Sequence, residues 1–128
     1  MQALILAPTR EIAMQGLEVA TQIGSQLPDL KIASFIGGLP VAEDRIKAAR
    51  CHMAIGTPGR MKQLLDEKIL NADTVRLAIL DEADKLLEPN FVKETTHILN
   101  LLPQSKQFIA LSATYPDELC RVAEKFMR

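Results

Sequence analysis

Five short apolar runs, at residues 3–7, 31–36, 52–56, 76–80 and 107–111, alternate along this chain with segments of helical periodicity. No other feature narrows the fold as much. Each run has the length of one strand, and the runs are apolar nearly throughout, as strands covered on both faces are. A strict βαβα order needs crossover helices, and right-handed crossovers leave the strands parallel. The sequence predicts an α/β fold: a parallel sheet of five strands with helices on both faces.

The last helix has the plainest signal. Pro116 suits a first helical position, Asp117 and Glu118 load the first turn, and Leu119, Val122, Ala123 and Phe126 repeat at helical spacing. The first helix, over residues 10–26, puts Ala13, Gly16, Leu17, Ala20 and Ile23 on one face and ends near Leu27 and Pro28. Shorter helices are expected over 41–49, 58–66 and 91–101. Polar spans at 66–74 and 103–106 read as connecting turns, and no repeat or low-complexity tract breaks the chain.

With 128 residues, 48% of them hydrophobic and 24% charged, the chain suits one domain with a real core. A formal net charge of -1 excludes nucleic-acid binding by a uniformly basic surface and leaves only local groups for that purpose. Cations do gather at Arg45, Lys47 and Arg50, where a solvated helix face is the simpler reading, and again at Arg60 and Lys62. Cys51 and Cys120 lie far apart without a CxxC spacing, and His52 and His97 fall in no metal-ligand pattern. A reduced, intracellular protein without structural zinc is expected. Neither a spanning segment nor a signal peptide is legible, so no membrane partner is expected.

The chemistry concentrates where Leu77, Ala78, Ile79 and Leu80 give way to Asp81, Glu82, Ala83 and Asp84. Ligands of open α/β sheets bind at the carboxyl ends of the strands. A carboxylate there can hold Mg²⁺ through its waters, and a neighbour can orient an attacking water in phosphoryl transfer. Acids in a helix's first turn, suiting the macrodipole, are the plain alternative.

Four further motifs accompany this one in order: PTRE at Pro8, Thr9, Arg10 and Glu11; the pair Gly37 and Gly38; TPGR at Thr57, Pro58, Gly59 and Arg60; and SAT at Ser112 to Thr114. The set resembles the DEAD-box ATP-dependent RNA helicases over essentially the whole chain. The resemblance implies a RecA-like (P-loop NTPase) lobe, here residues 1–128 as a partial first lobe running from PTRE through SAT. It implies ATP and Mg²⁺ as cofactors and RNA, held mostly by its sugar-phosphate backbone, as partner. Asp81 would hold Mg²⁺ through water and Glu82 would position the water that attacks the γ-phosphate. Asp84, Ser112 and Thr114 would hydrogen-bond the acid motif to the SAT motif, although Thr114 also reads as a local cap before Pro116. Pro8, Thr9, Arg10, Gly37, Gly38, Thr57, Pro58, Gly59 and Arg60 would grip the RNA backbone.

PTRE and TPGR each follow a strand and open a helix, whose free N–H groups suit phosphate oxygens. Contacts of that kind position a nucleic acid without reading its bases. Residues 51–65, the LDEADKLLE stretch and SATYP resemble the branch of the family that works in the survival-of-motor-neuron complex. That likeness implies proteins of the complex as partners, a cytoplasmic or nuclear setting, and a role in mRNA or snRNP metabolism.

Nowhere in the sequence does G-x-x-x-x-G-K-[ST] occur. The resemblance implies that this phosphate loop, with an adenine-recognition segment, precedes Met1, and that a second RecA-like lobe follows Arg128. By itself the fragment is expected to be catalytically incomplete. Two other readings stay open: a phosphoacceptor receiver domain, which would want acids after the first strand where APTRE stands, and an interaction scaffold without ATPase function.

Overall fold

The computed structural model describes residues 1–127. Its core is a five-stranded parallel sheet in the order β2-β3-β1-β4-β5, formed by β1 Ala3–Leu6, β2 Ile32–Phe35, β3 Met53–Gly56, β4 Leu77–Asp81 and β5 Gln107–Leu111. Around it lie α1 Arg10–Ile23, α2 Val41–Ala48, α3 Pro58–Asp66, α4 Ala83–Leu86, α5 Val92–Leu101 and α6 Asp117–Phe126. The expected α/β architecture is the observed one.

Period-two alternation decides which layer each strand residue joins. Leu4 and Leu6 of β1, Ala54 of β3, Ala78 and Leu80 of β4 and Phe108 of β5 enter one cluster with Met61, Leu64, Ile98, Leu99 and Leu119 from the helices. Ile5, Met53 and Ile55 face the other way, where Ala13, Leu17 and Ala20 of α1 cover them. Helices therefore flank both faces. Fully burying each of the larger of these side chains, Leu, Ile, Phe or Met, contributes about 1.5–3 kcal/mol.

The boundaries differ from the sequence expectation in ways that have local causes. The first helix ends at Ile23 and closes through a 3-10 turn, Gly24–Gln26, so Ile23, expected on the inward stripe, is 79% exposed. Pro116 takes the N-cap position with extended backbone, not the first helical position. Lys47 is no solvated charge: it donates to Ser34 O at 2.6 Å, capping a carbonyl of the edge strand β2. The short helix α4, for which the sequence reading set no bounds, follows the acids directly.

From β1 the chain crosses to the β2 side of the sheet, whereas from β4 it continues to β5 on the opposite side. The carboxyl ends of β1 and β4, neighbours in register at Leu6 and Leu80, thus flank the point where the winding reverses, the usual place for a ligand crevice. Among the described residues, no helix is long and apolar enough to cross a membrane.

Candidate functional site

All five strands run parallel, so every motif that follows a strand lands on the same edge of the sheet. Strand order then sorts them. The loops after β2, β3 and β1 are contiguous and carry Gly37 and Gly38, then Thr57 to Arg60, then Pro8 to Glu11; β4 and β5, side by side, carry the acids and the SAT residues.

On the acid half, Asp81 is the last residue of β4, aligned with Leu111 of β5, and is half-buried. Glu82 follows in the left-handed region, φ 52° and ψ 53°. A non-glycine residue there carries about 1–2 kcal/mol of strain, and such strain collects at functional sites. At Glu82 the chain thus leaves the extended course of β4. Lys85, one turn on, places its Nζ 2.8 Å from Glu82 Oε2. The Glu82 carboxylate in turn raises the pKa of Lys85 above its ordinary value.

Asp84 joins the two strand ends. Thr114 Oγ1 donates to Asp84 Oδ2 at 2.7 Å, and the Asp84 backbone N–H donates to Ser112 Oγ at 3.2 Å. The Thr114 hydroxyl, followed by Ser112, holds the Asp84 carboxyl below the usual carboxylate range. The hydroxyl of Thr114 serves this link and not the end of α6, whose N-cap lacks a side-chain bond. Below α4, the buried Thr95 hydroxyl donates to Leu86 O at 2.9 Å and satisfies the end of that short helix.

On the other half, Thr9 caps α1 by accepting from Ile12 N at 3.3 Å, while Thr57 caps α3 without a side-chain bond and buried Pro58 fills its first position. The N-termini of α1 and α3 both open onto the shared edge. Gly38 adopts φ +85°, and a Cβ there would come within 2.7 Å of Arg10 Nη2, so the Arg10 guanidinium lies directly over the glycine pair. Arg10 is exposed, and no ion pair with another described residue engages it. Arg60 differs: its side chain is 9% exposed, with Nη1 2.6 Å from Asp44 Oδ2 and Nη2 donating to Leu39 O at 2.7 Å.

Sequence reasoning missed Asp44 altogether. It is a wholly buried acid on α2, and a buried carboxylate leaves no mark in a local pattern. Gly56 was passed over as well, although a Cβ there would stand 2.3 Å from Phe35 O; a small residue ending a strand that is paired on both sides was the available signal.

The donor chemistry fits Mg²⁺ held by one carboxylate together with substrate phosphates. Asp81 stands half-buried at the strand end, and among the described residues no group of three or more acidic, histidine or cysteine side chains forms an all-protein cage. Mg²⁺ characteristically keeps its waters and takes only one or two carboxylates.

The family profile described as DEAD/DEAH box helicase matches residues 1–122. The mouse protein described as a probable ATP-dependent RNA helicase DDX20 is 49% identical over 128 residues, covering 99% of this chain and 16% of that protein. The ATP-dependent RNA helicase eIF4A of Aspergillus clavatus is 44% identical, with 99% of this chain and 32% of that protein covered. This chain therefore spans a third or less of the length of these relatives. Among solved structures, a DEAD box protein from the hyperthermophile Methanococcus jannaschii superposes with a TM-score of 0.90 at 37% identity, covering 99% of this chain and 35% of that one. The yeast DEAD-box splicing factor Prp28 gives 0.92 at 28% identity, covering 99% and 30%.

Proposed function

The chain belongs to the DEAD/DEAH box helicase family, and from that premise we propose that it supplies the acid and RNA-backbone groups of an ATP-dependent RNA helicase. The observation that carries this reading is the sorting of one sheet edge into two adjacent halves, with acids on β4 and β5 and helix N-termini and glycines on β2, β3 and β1.

Mg²⁺ and ATP, when bound, supply the phosphoryl group and the neutralising charge. Asp81, at the end of β4, would hold the ion, and Glu82, in its left-handed turn, would orient the attacking water. Lys85, with its Nζ 2.8 Å from Glu82 Oε2, holds the Glu82 carboxylate in place. Asp84 transmits between the acid loop and the strand end of β5 through Thr114 and Ser112. Across the edge, the first N–H groups of α1 and α3, with Arg10 above Gly38, meet RNA phosphates without reading bases. RNA is told from DNA by its 2′-hydroxyls and strand shape.

The phosphate-cradling loop, which this sequence does not contain, and a second RecA-like lobe complete the site in the whole protein, so residues 1–128 alone do not turn over ATP. The resemblance of residues 51–65, the LDEADKLLE stretch and SATYP to the survival-of-motor-neuron branch of the family is what proposes proteins of that complex as partners and a cytoplasmic or nuclear setting. The test is separation of a short RNA duplex by the full-length protein that contains this chain. Separation that requires ATP and Mg²⁺ and is indifferent to sequence is expected; duplex binding without ATP-dependent separation would contradict the reading.

A further inference from the structure

We infer that Asp44 is a positioning residue for the RNA-backbone site, acting through Arg60 to hold the turn at Gly37 and Gly38; the inference rests on the RNA-binding reading above. Asp44 is wholly buried, and a buried carboxylate is costly unless paired and hydrogen-bonded. Its Oδ2 accepts from Arg60 Nη1 at 2.6 Å, while Lys47 Nζ lies 3.2 Å from Oδ1 as a second counter-charge.

Each cation continues to a backbone carbonyl on one side of the glycine turn. Arg60 Nη2 donates to Leu39 O, just after Gly38, at 2.7 Å, and Lys47 Nζ donates to Ser34 O, in the strand that leads into the turn, at 2.6 Å. One buried acid thus fixes both ends of the segment. The turn needs such a tether. Gly37 and Gly38 have no side chains to pack, Leu39 is 44% exposed, and Gly38 sits at φ +85°, a conformation that glycine leaves as readily as it enters. With both Nη atoms engaged and the side chain 9% exposed, Arg60 is spent on this tether and is not turned toward a phosphate. Its contribution to RNA binding passes through the turn, whereas Arg10, exposed over Gly38, contributes charge.

The test uses the full-length protein containing this chain as wild type, Asp44→Asn, Arg60→Gln and the double variant. Affinity for a single-stranded uridine 20-mer is measured against salt concentration, beside hydrogen exchange at residues 37–39. Each single variant is expected to bind about tenfold more weakly, with no further loss in the double variant. The salt slope should match wild type, and the amides at 37–39 should exchange faster. A fall in slope of about 0.7 in Arg60→Gln, the value for one phosphate contact on a single strand, would overturn the inference while leaving RNA binding established. Wild-type protein that bound no RNA would overturn both. Should Asp44→Asn fail to fold, the slope of Arg60→Gln still decides.

Discussion

Two glycines three residues apart should respond to alanine with opposite signs. Gly56 ends β3 between β2 and β1, in register with Phe35 on one side and Leu6 on the other. A Cβ at Gly56 would stand 2.3 Å from Phe35 O and 2.8 Å from Met61 Cε. The methionine end can swing away. The Phe35 carbonyl cannot, because it belongs to the neighbouring strand and accepts from Thr57 N at 3.2 Å, so relief means parting β2 from β3 at the site itself. Overpacking that forces backbone to move costs about 2–3 kcal/mol, or on the order of 10 °C in Tm for a domain this size. Gly59, in contrast, has nothing within 4 Å of its Cβ position and lies in the first turn of α3. Alanine there should stabilise by about 0.5–1 kcal/mol through helix propensity. A methyl at that point also crowds the N–H groups proposed to meet phosphate, so Gly59→Ala should gain stability and lose RNA affinity. Urea unfolding of residues 1–128 followed by circular dichroism, with RNA affinity of the matching full-length variants, provides the assay. Equal stability of the two variants would refute the packing argument, and wild-type RNA affinity in Gly59→Ala would refute the role given to the start of α3.

Two further outcomes follow from the acid half. Because Thr114 and Ser112 lower the Asp84 pKa in the folded state, the stability that Asp84 contributes is fully present above its unfolded value, about 3.9. It is lost as pH falls through the lower folded value. Urea midpoints across that acid window should therefore decline less steeply in Asp84→Asn than in wild type, and identical declines would deny the coupling. Separately, residues 1–128 contain no phosphate loop, so calorimetric titration should detect no micromolar affinity for Mg·ATP; such an affinity would mean that the acids and strand ends suffice to hold the nucleotide.

What was legible in the sequence was what depends on local pattern. The apolar runs gave each strand within a residue or two, since a strand flanked on both sides has few polar positions to disguise it. The approach of Asp84 to Ser112 and Thr114 was also legible, because parallel strands in neighbouring positions bring their following residues together. What escaped depends on tertiary placement. Nothing in the i, i+3 pattern of α2 distinguishes buried Asp44 from exposed Glu43 beside it. Arg60 read as a free cation because its acid partner lies 16 residues earlier, on a different helix. The left-handed backbone of Glu82 had no glycine or asparagine to announce it; the turn is imposed by the strand that ends before it and the short helix that begins after it.

In the proposed function, the acids at the end of β4 act on ATP in response to RNA bound on the adjacent half of the same edge. The most direct test of this is single-turnover ATP hydrolysis by the full-length protein carrying Glu82→Gln, with and without single-stranded RNA, beside equilibrium binding of both ligands. Hydrolysis should fall by at least about 10²-fold, as expected when a water-positioning group is lost, while ATP and RNA still bind. RNA-stimulated hydrolysis at a near wild-type rate would contradict this, leaving Glu82 as an acid of a helix's first turn and nothing more.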